Sequence, residues 1–209
     1  MKNSTFALAF VISGIATFWV IDIKQSGSPA LIGEGKIVGS GSLSAGLNLN
    51  PVQAIENARL QTVANGVVEA DIRNSGIDVS TYFRDSFNQS TLVFNLTGVS
   101  ASKSRLDVFR VLLDFSKALE EKQFEQVILA SNGNHKFTID GTYFQQLGQE
   151  RDWQNPTFTI RTFPEHLRTL SGDRAYAAWT GGLLGVVAQQ MDDFNDFHSQ
   201  WYLNDMVAR

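Results

Sequence analysis

The sequence predicts an α+β protein: an N-terminal transmembrane helix, then a mixed β-sheet domain that contains a βαβ unit and closes on a long C-terminal helix. Three observations carry this expectation. Residues 6–23 form an almost unbroken apolar run, residues 91–130 read as strand, helix and strand with short joints, and apolar residues recur at helical spacing over 181–203.

The apolar run comes first in chain order. Its 18 residues sit at the short end of the roughly 17–25 that cross a bilayer. Lys2 precedes the run and favours a cytoplasmic N-terminus, while Trp19 lies near the far end, where amphipathic aromatics prefer the interface. Asp22 reaches the headgroups. Ser28-Pro29-Ala30 offers the small residues of a signal-peptidase site, but the run exceeds the usual signal core of about 7–15 residues. The reading is therefore an anchor or uncleaved signal over residues 1–24. Residues 25–50 follow as a Gly/Ser-rich tether with a short strand possible around Leu31, Ile32, Ile37 and Val38. Residues 51–209 then form one extracytoplasmic α/β domain, in the periplasm or outside the cell.

Asn50-Pro51 is a helix start, and Val52, Ile55, Leu60, Val63 and Val67 mark a loose apolar face over residues 51–70. Gly33-Glu34-Gly35 followed by an alanine-bearing helix (Ala54, Ala58, Ala64) resembles the opening of some bacterial envelope lipoproteins and flagellar ring proteins. That likeness covers about forty residues, and the lipid-bearing cysteine of the lipoproteins is missing. Further on, residues 91–99 read as a strand, 103–121 as a helix with Leu106, Phe109 and Leu113 on one side, and 124–130 as a second strand. Short joints make this a parallel crossover. Asn132-Gly133 marks a turn, residues 136–142 alternate like an antiparallel addition, and residues 156–163 read as another strand. In the closing helix, Leu184, Val187, Met191, Phe194, His198 and Trp201 share a stripe.

Composition narrows the chemistry. Seventeen basic against 21 acidic residues give a net charge of −4 with no basic block, so the footprint for duplex nucleic acid is absent. The lack of cysteine removes disulfides, thiolate catalysis and thiolate metal ligation. No metal site and no cofactor is expected, because no two of His135, His166 and His198 share a helical turn. Asp192, Asp193 and Asp196 read as a solvated face. The loop from Gly98 to Ser104 lies where phosphate loops occur but lacks their second glycine, and Ser102 reads as the cap of the helix that follows. Ser100 sits in an incomplete nucleophile elbow, for which Asp140 and then His166 or His198 would complete a triad.

Two local features suggest binding. Thr180, Gly181 and Gly182 open the last helix with unobstructed amides, as an anion site requires, and Arg161, Arg168 and Arg174 lie upstream to converge on it. Aromatics crowd the C-terminal third. Most are expected in the core, yet Trp179, Phe197, Trp201 and Tyr202 are the candidates for a partner-binding patch. The leading expectation is a membrane-anchored, non-enzymatic component or accessory of an envelope assembly in the cytoplasmic membrane. Its partners are other envelope proteins, with a homo-oligomer possible. The alternatives are an envelope hydrolase and a small-anion binding module.

Overall fold

The computed structural model describes residues 51–85, 88–179 and 183–207. The expected anchor and tether thus lie outside the described residues, and no helix among those described is long and apolar enough to cross a membrane. Five strands form one mixed sheet in chain order: β1 (Ile77–Phe83), β2 (Thr91–Val99), β3 (Gln126–Ser131), β4 (Asn134–Asp140) and β5 (Leu167–Arg168). Only β2 and β3 run parallel. Helix α2 (Arg105–Ala118) makes the crossover between them, as the central apolar runs predict. Its start is set by a capping box in which Ser104 and Asp107 exchange side-chain and backbone bonds, so the cap is Ser104 rather than Ser102.

The strands bury alternate residues beneath the helices. Leu92, Phe94 and Leu96 of β2, Val127 and Leu129 of β3, and Phe137 and Ile139 of β4 all belong to the main core. Each such side chain contributes about 1.5–3 kcal/mol on burial. On the opposite face Val93, Ile128 and Ala130 form a second, smaller buried cluster with Tyr82 against it. Burial on both faces explains why β2 and β3 read as continuous apolar runs. At the β3–β4 joint, Asn132 and Gly133 both have positive φ (48° and 82°), the requirement of a two-residue hairpin turn. Asn95 of β2 accepts a bond from Gly133 N at 2.9 Å and holds that turn in place.

Helix α1 (Pro51–Ala70) occupies the predicted range, but its apolar face is narrower than expected. Leu60 and Ala64 are buried, whereas Val52 and Ile55 are more than half exposed. Its other attachment is polar. Asn57 Oδ1 accepts from Phe83 N, Gln61 Oε1 accepts from Thr81 N, and Gln61 Nε2 donates to Val79 O, at 2.8–2.9 Å. These are outward-pointing backbone groups of β1, so two amides four residues apart seal an edge that would otherwise template another strand.

Beyond β4 the structure departs from expectation. The predicted strand extension ends at Asp140, which caps α3 (Gly141–Glu150) by accepting from Thr142 N and Tyr143 N. Two glycines allow α3 to pack closely. A Cβ at Gly141 would lie 1.8 Å from Phe124 O, and one at Gly148 would lie 2.5 Å from Ser116 O on α2. Residues 156–163, expected as a strand, form helix α4 (Pro156–Thr162) and the start of a 3-10 turn, Phe163–His166. Asn155 accepts from Thr157 N and proline occupies the first turn, so the local start signal overrides the Thr-Phe-Thr-Ile alternation. The last helix comprises α5 (Leu183–His198), a π turn (Ser199–Leu203) and a short α6 (Asn204–Val207).

Candidate partner-binding groove

The C-terminal aromatics are where the structure corrects the sequence most sharply. Phe197, Trp201 and Tyr202, expected among the partner-binding residues, are 0%, 0% and 1% exposed. Phe197 stacks on Trp201 with centroids 5.2 Å apart, and Trp201 Nε1 donates to Ala130 O of β3 at 3.0 Å. They fasten the last helix to the sheet. The π turn brings this about by shifting the phase of the helix, which turns Trp201 and Tyr202 inward together. Trp179 is only partly buried, and its indole N–H is committed to Asp193.

His198 sits among Phe109, Phe194, Phe197, Trp201 and Tyr202, with its Nδ1 2.9 Å from Phe194 O. It is fully buried and its Nε2 has no partner. Burial pulls its pKa down to about 4, although the Phe194 carbonyl works in the other direction, and the ring is neutral near pH 7.

A groove of about 450 Å³ opens beside this cluster, between the start of α2 and the end of α5. Leu106, Met191, Phe194, Tyr202 and Leu203 give it an apolar lining, and Arg105 stands at its rim. Leu106 is 51% exposed although the helical stripe places it toward the core. It occupies the first turn of α2, where the stripe runs past the edge of the sheet. The Arg105 guanidinium makes one long contact, 3.4 Å to Asn195 Oδ1, and no ion pair among the described residues. By contrast Arg110 binds Asp107, Asn74 and the Arg73 carbonyl. The difference is visible in the sequence: Val108 and Phe109 stand three and four residues after Arg105, where a helix would place a pairing carboxylate. Burial lifts the Tyr202 phenol to about 12, with Arg105 opposing the rise.

The other predicted groups are dispersed or already engaged. Thr180, Gly181 and Gly182 lie outside the described residues. Arg161 donates to Gln190 Oε1, while Arg168 faces Arg174 across an antiparallel bridge, so the three arginines do not converge as one set. Asp193 accepts from Trp179 Nε1 and Gln189, and Asp196 accepts from Tyr176 and Gln200. Those carboxylates tie the preceding loop to α5. Tyr176 is held protonated by burial and by its bond to Asp196.

The hydrolase triad fails on topology. Asp140 pairs with Gln126, which pairs with Thr91 at the entry end of β2, whereas Ser100 follows the exit end. A nine-residue strand separates them by roughly 25 Å. The nearest side-chain partner of Ser100 is Ser102. Among the described residues no group of three His, Asp or Glu side chains is arranged to hold a metal ion.

Comparison with known proteins leaves the groove to be read on its own terms: no family model, no curated protein and no solved structure matches the chain.

Proposed function

We propose that the chain is a membrane-anchored extracytoplasmic domain, a non-enzymatic component or accessory of an envelope assembly, which binds its partner in the α2–α5 groove. The apolar run over residues 6–23 supports the membrane placement. One observation carries the docking role: an exposed Leu106 beside Met191 and Leu203, rimmed by an Arg105 that no carboxylate of the described residues neutralises. Aromatic, Met and Arg side chains are the ones enriched at protein interfaces, and Leu106 adds exposed apolar surface beside them. The occupant that fits is an amphipathic segment of another envelope protein, with an apolar side chain for the groove and an acidic residue for Arg105.

The test is photo-crosslinking from position 106 in intact cells, followed by solubilisation and mass spectrometry. The reading expects one dominant envelope protein, lost when Arg105→Glu is added to the same crosslinking chain with the melting temperature unchanged. Recovery of the same product from a site on the exposed face of α1, such as Ile55, would overturn it.

A further inference from the structure

The chain after β4 folds back as a small hairpin at the edge of the sheet. Ala175 N donates to Leu167 O at 3.0 Å and Thr169 N donates to Asp173 O at 2.8 Å, so Arg168 and Arg174 face each other as a non-hydrogen-bonded pair. Such pairs stand with Cα atoms about 4.5 Å apart and send both side chains from one face. Like charges at this position repel, which costs stability unless an anion lies between them. The hairpin is braced to hold them there. Arg168 Nη1 donates to Gly172 O, Gly172 takes a φ of 95°, and the hydroxyls of Thr169 and Ser171 link to Asp173.

Neither nearby carboxylate is ion-paired to them: Asp140 Oδ1 accepts from the first amides of α3, and Glu165 Oε1 accepts from Gln190 Nε2 at 2.7 Å and from Trp179 N at 3.4 Å. Among the described residues the Arg174 guanidinium makes no hydrogen bond or ion pair. Both arginines open on a recess of about 180 Å³ that His166, Asp140 and Glu165 also line. That imidazole stacks on Tyr143 at 3.7 Å; burial lowers its pKa, Glu165 opposes this, and Arg174 adds to it.

We infer that Arg168 and Arg174 clamp one small anion bearing a phosphate group, with His166 as a third hydrogen-bonding group. The recess takes one such group; it is smaller than the roughly 300 Å³ at which sites for larger organic ligands begin. This site lies on a different element from the α2–α5 groove and stands without it.

Equilibrium dialysis of the full chain in detergent against radiolabelled inorganic phosphate tests the inference. Saturable uptake of one equivalent is expected, weakened at least tenfold in Arg174→Gln and in Arg168→Gln. Arg59→Gln, an exposed arginine of α1, leaves it unchanged. Both hairpin arginines are exposed, so unaltered melting temperatures will verify that the variants fold. Competition then separates the sources. Stronger displacement by a soluble short-chain phosphatidate than by glycerol phosphate assigns a lipid headgroup, and the reverse assigns a free phosphate. No saturable uptake, or equal uptake by Arg174→Gln, would overturn the clamp.

Discussion

The two helices that flank the chain attach to the same sheet by opposite means. Helix α1 uses neutral amides that bond the backbone of β1, and only Leu60, Ala64 and Gln53 of its side chains are buried. The C-terminal helix uses rings: Phe194, Phe197, Trp201 and Tyr202 are all essentially inaccessible. Amide clamps specify register, because each bond demands one partner at one distance, but each contributes little net free energy. Aromatic burial contributes far more and is less particular about alignment. Of these two attachments, the first controls register and the second buries more apolar surface.

That contrast is open to experiment. Trp201→Ala removes the largest buried ring and its bond to Ala130, and should cost about 3–5 kcal/mol in chemical denaturation. A loss equal to that of an α1 substitution would erase the distinction. Acidification probes the same end. His198 has a folded pKa of about 4, below its ordinary 6.5, so the unfolded chain binds more protons between these values. Its contribution is complete above pH 6.5 and disappears as pH falls toward 4, a change on the order of 3 kcal/mol. His198→Phe should flatten that part of the pH–stability curve; an identical slope would show that other groups cause it.

At the other end, Gln61→Ala leaves Thr81 N and Val79 O without partners and should cost about 1–3 kcal/mol. It should also speed amide exchange in β1 more than in β3. Uniform exchange would mean that α1 does not seal the edge. Leu106→Asp, on the surface beside the aromatic helix, should shift stability by no more than about 0.5 kcal/mol. A larger loss would place Leu106 in the core and remove it from the docking groove.

The parts of the fold legible in the sequence are those whose burial is extreme. Strands β2 and β3 are apolar on both faces, and α2 carries an apolar stripe, so the crossover stands out. Strand β1 does not, because Asp78, Ser80 and Thr81 interrupt it and a bulge at Asp78/Val79 breaks its alternation. Helix α3 is obscured for another reason: Gly141 and Gly148 argue against a helix locally and make sense only against Phe124 and Ser116. Site residues were harder still. An aromatic stripe looks the same whether a sheet or a partner covers it, and here β3 covers Trp201. The unpaired state of Arg105, in contrast, was readable from the lack of a carboxylate one turn away.

The bond from Trp201 Nε1 to Ala130 O joins residues 71 positions apart. At synthesis rates of about 5–20 residues per second, Ala130 waits roughly 4–14 s for its partner to be made. During that interval β3 and its neighbours have emerged, but the rings that cover their inner face have not. Phe94, Leu129 and Phe137 then present a sticky surface to anything nearby. A stop codon just before residue 194 would make that interval permanent, yielding a chain that keeps α2 and α3 over the sheet but leaves Phe94 and Phe137 without Trp201 and Phe197.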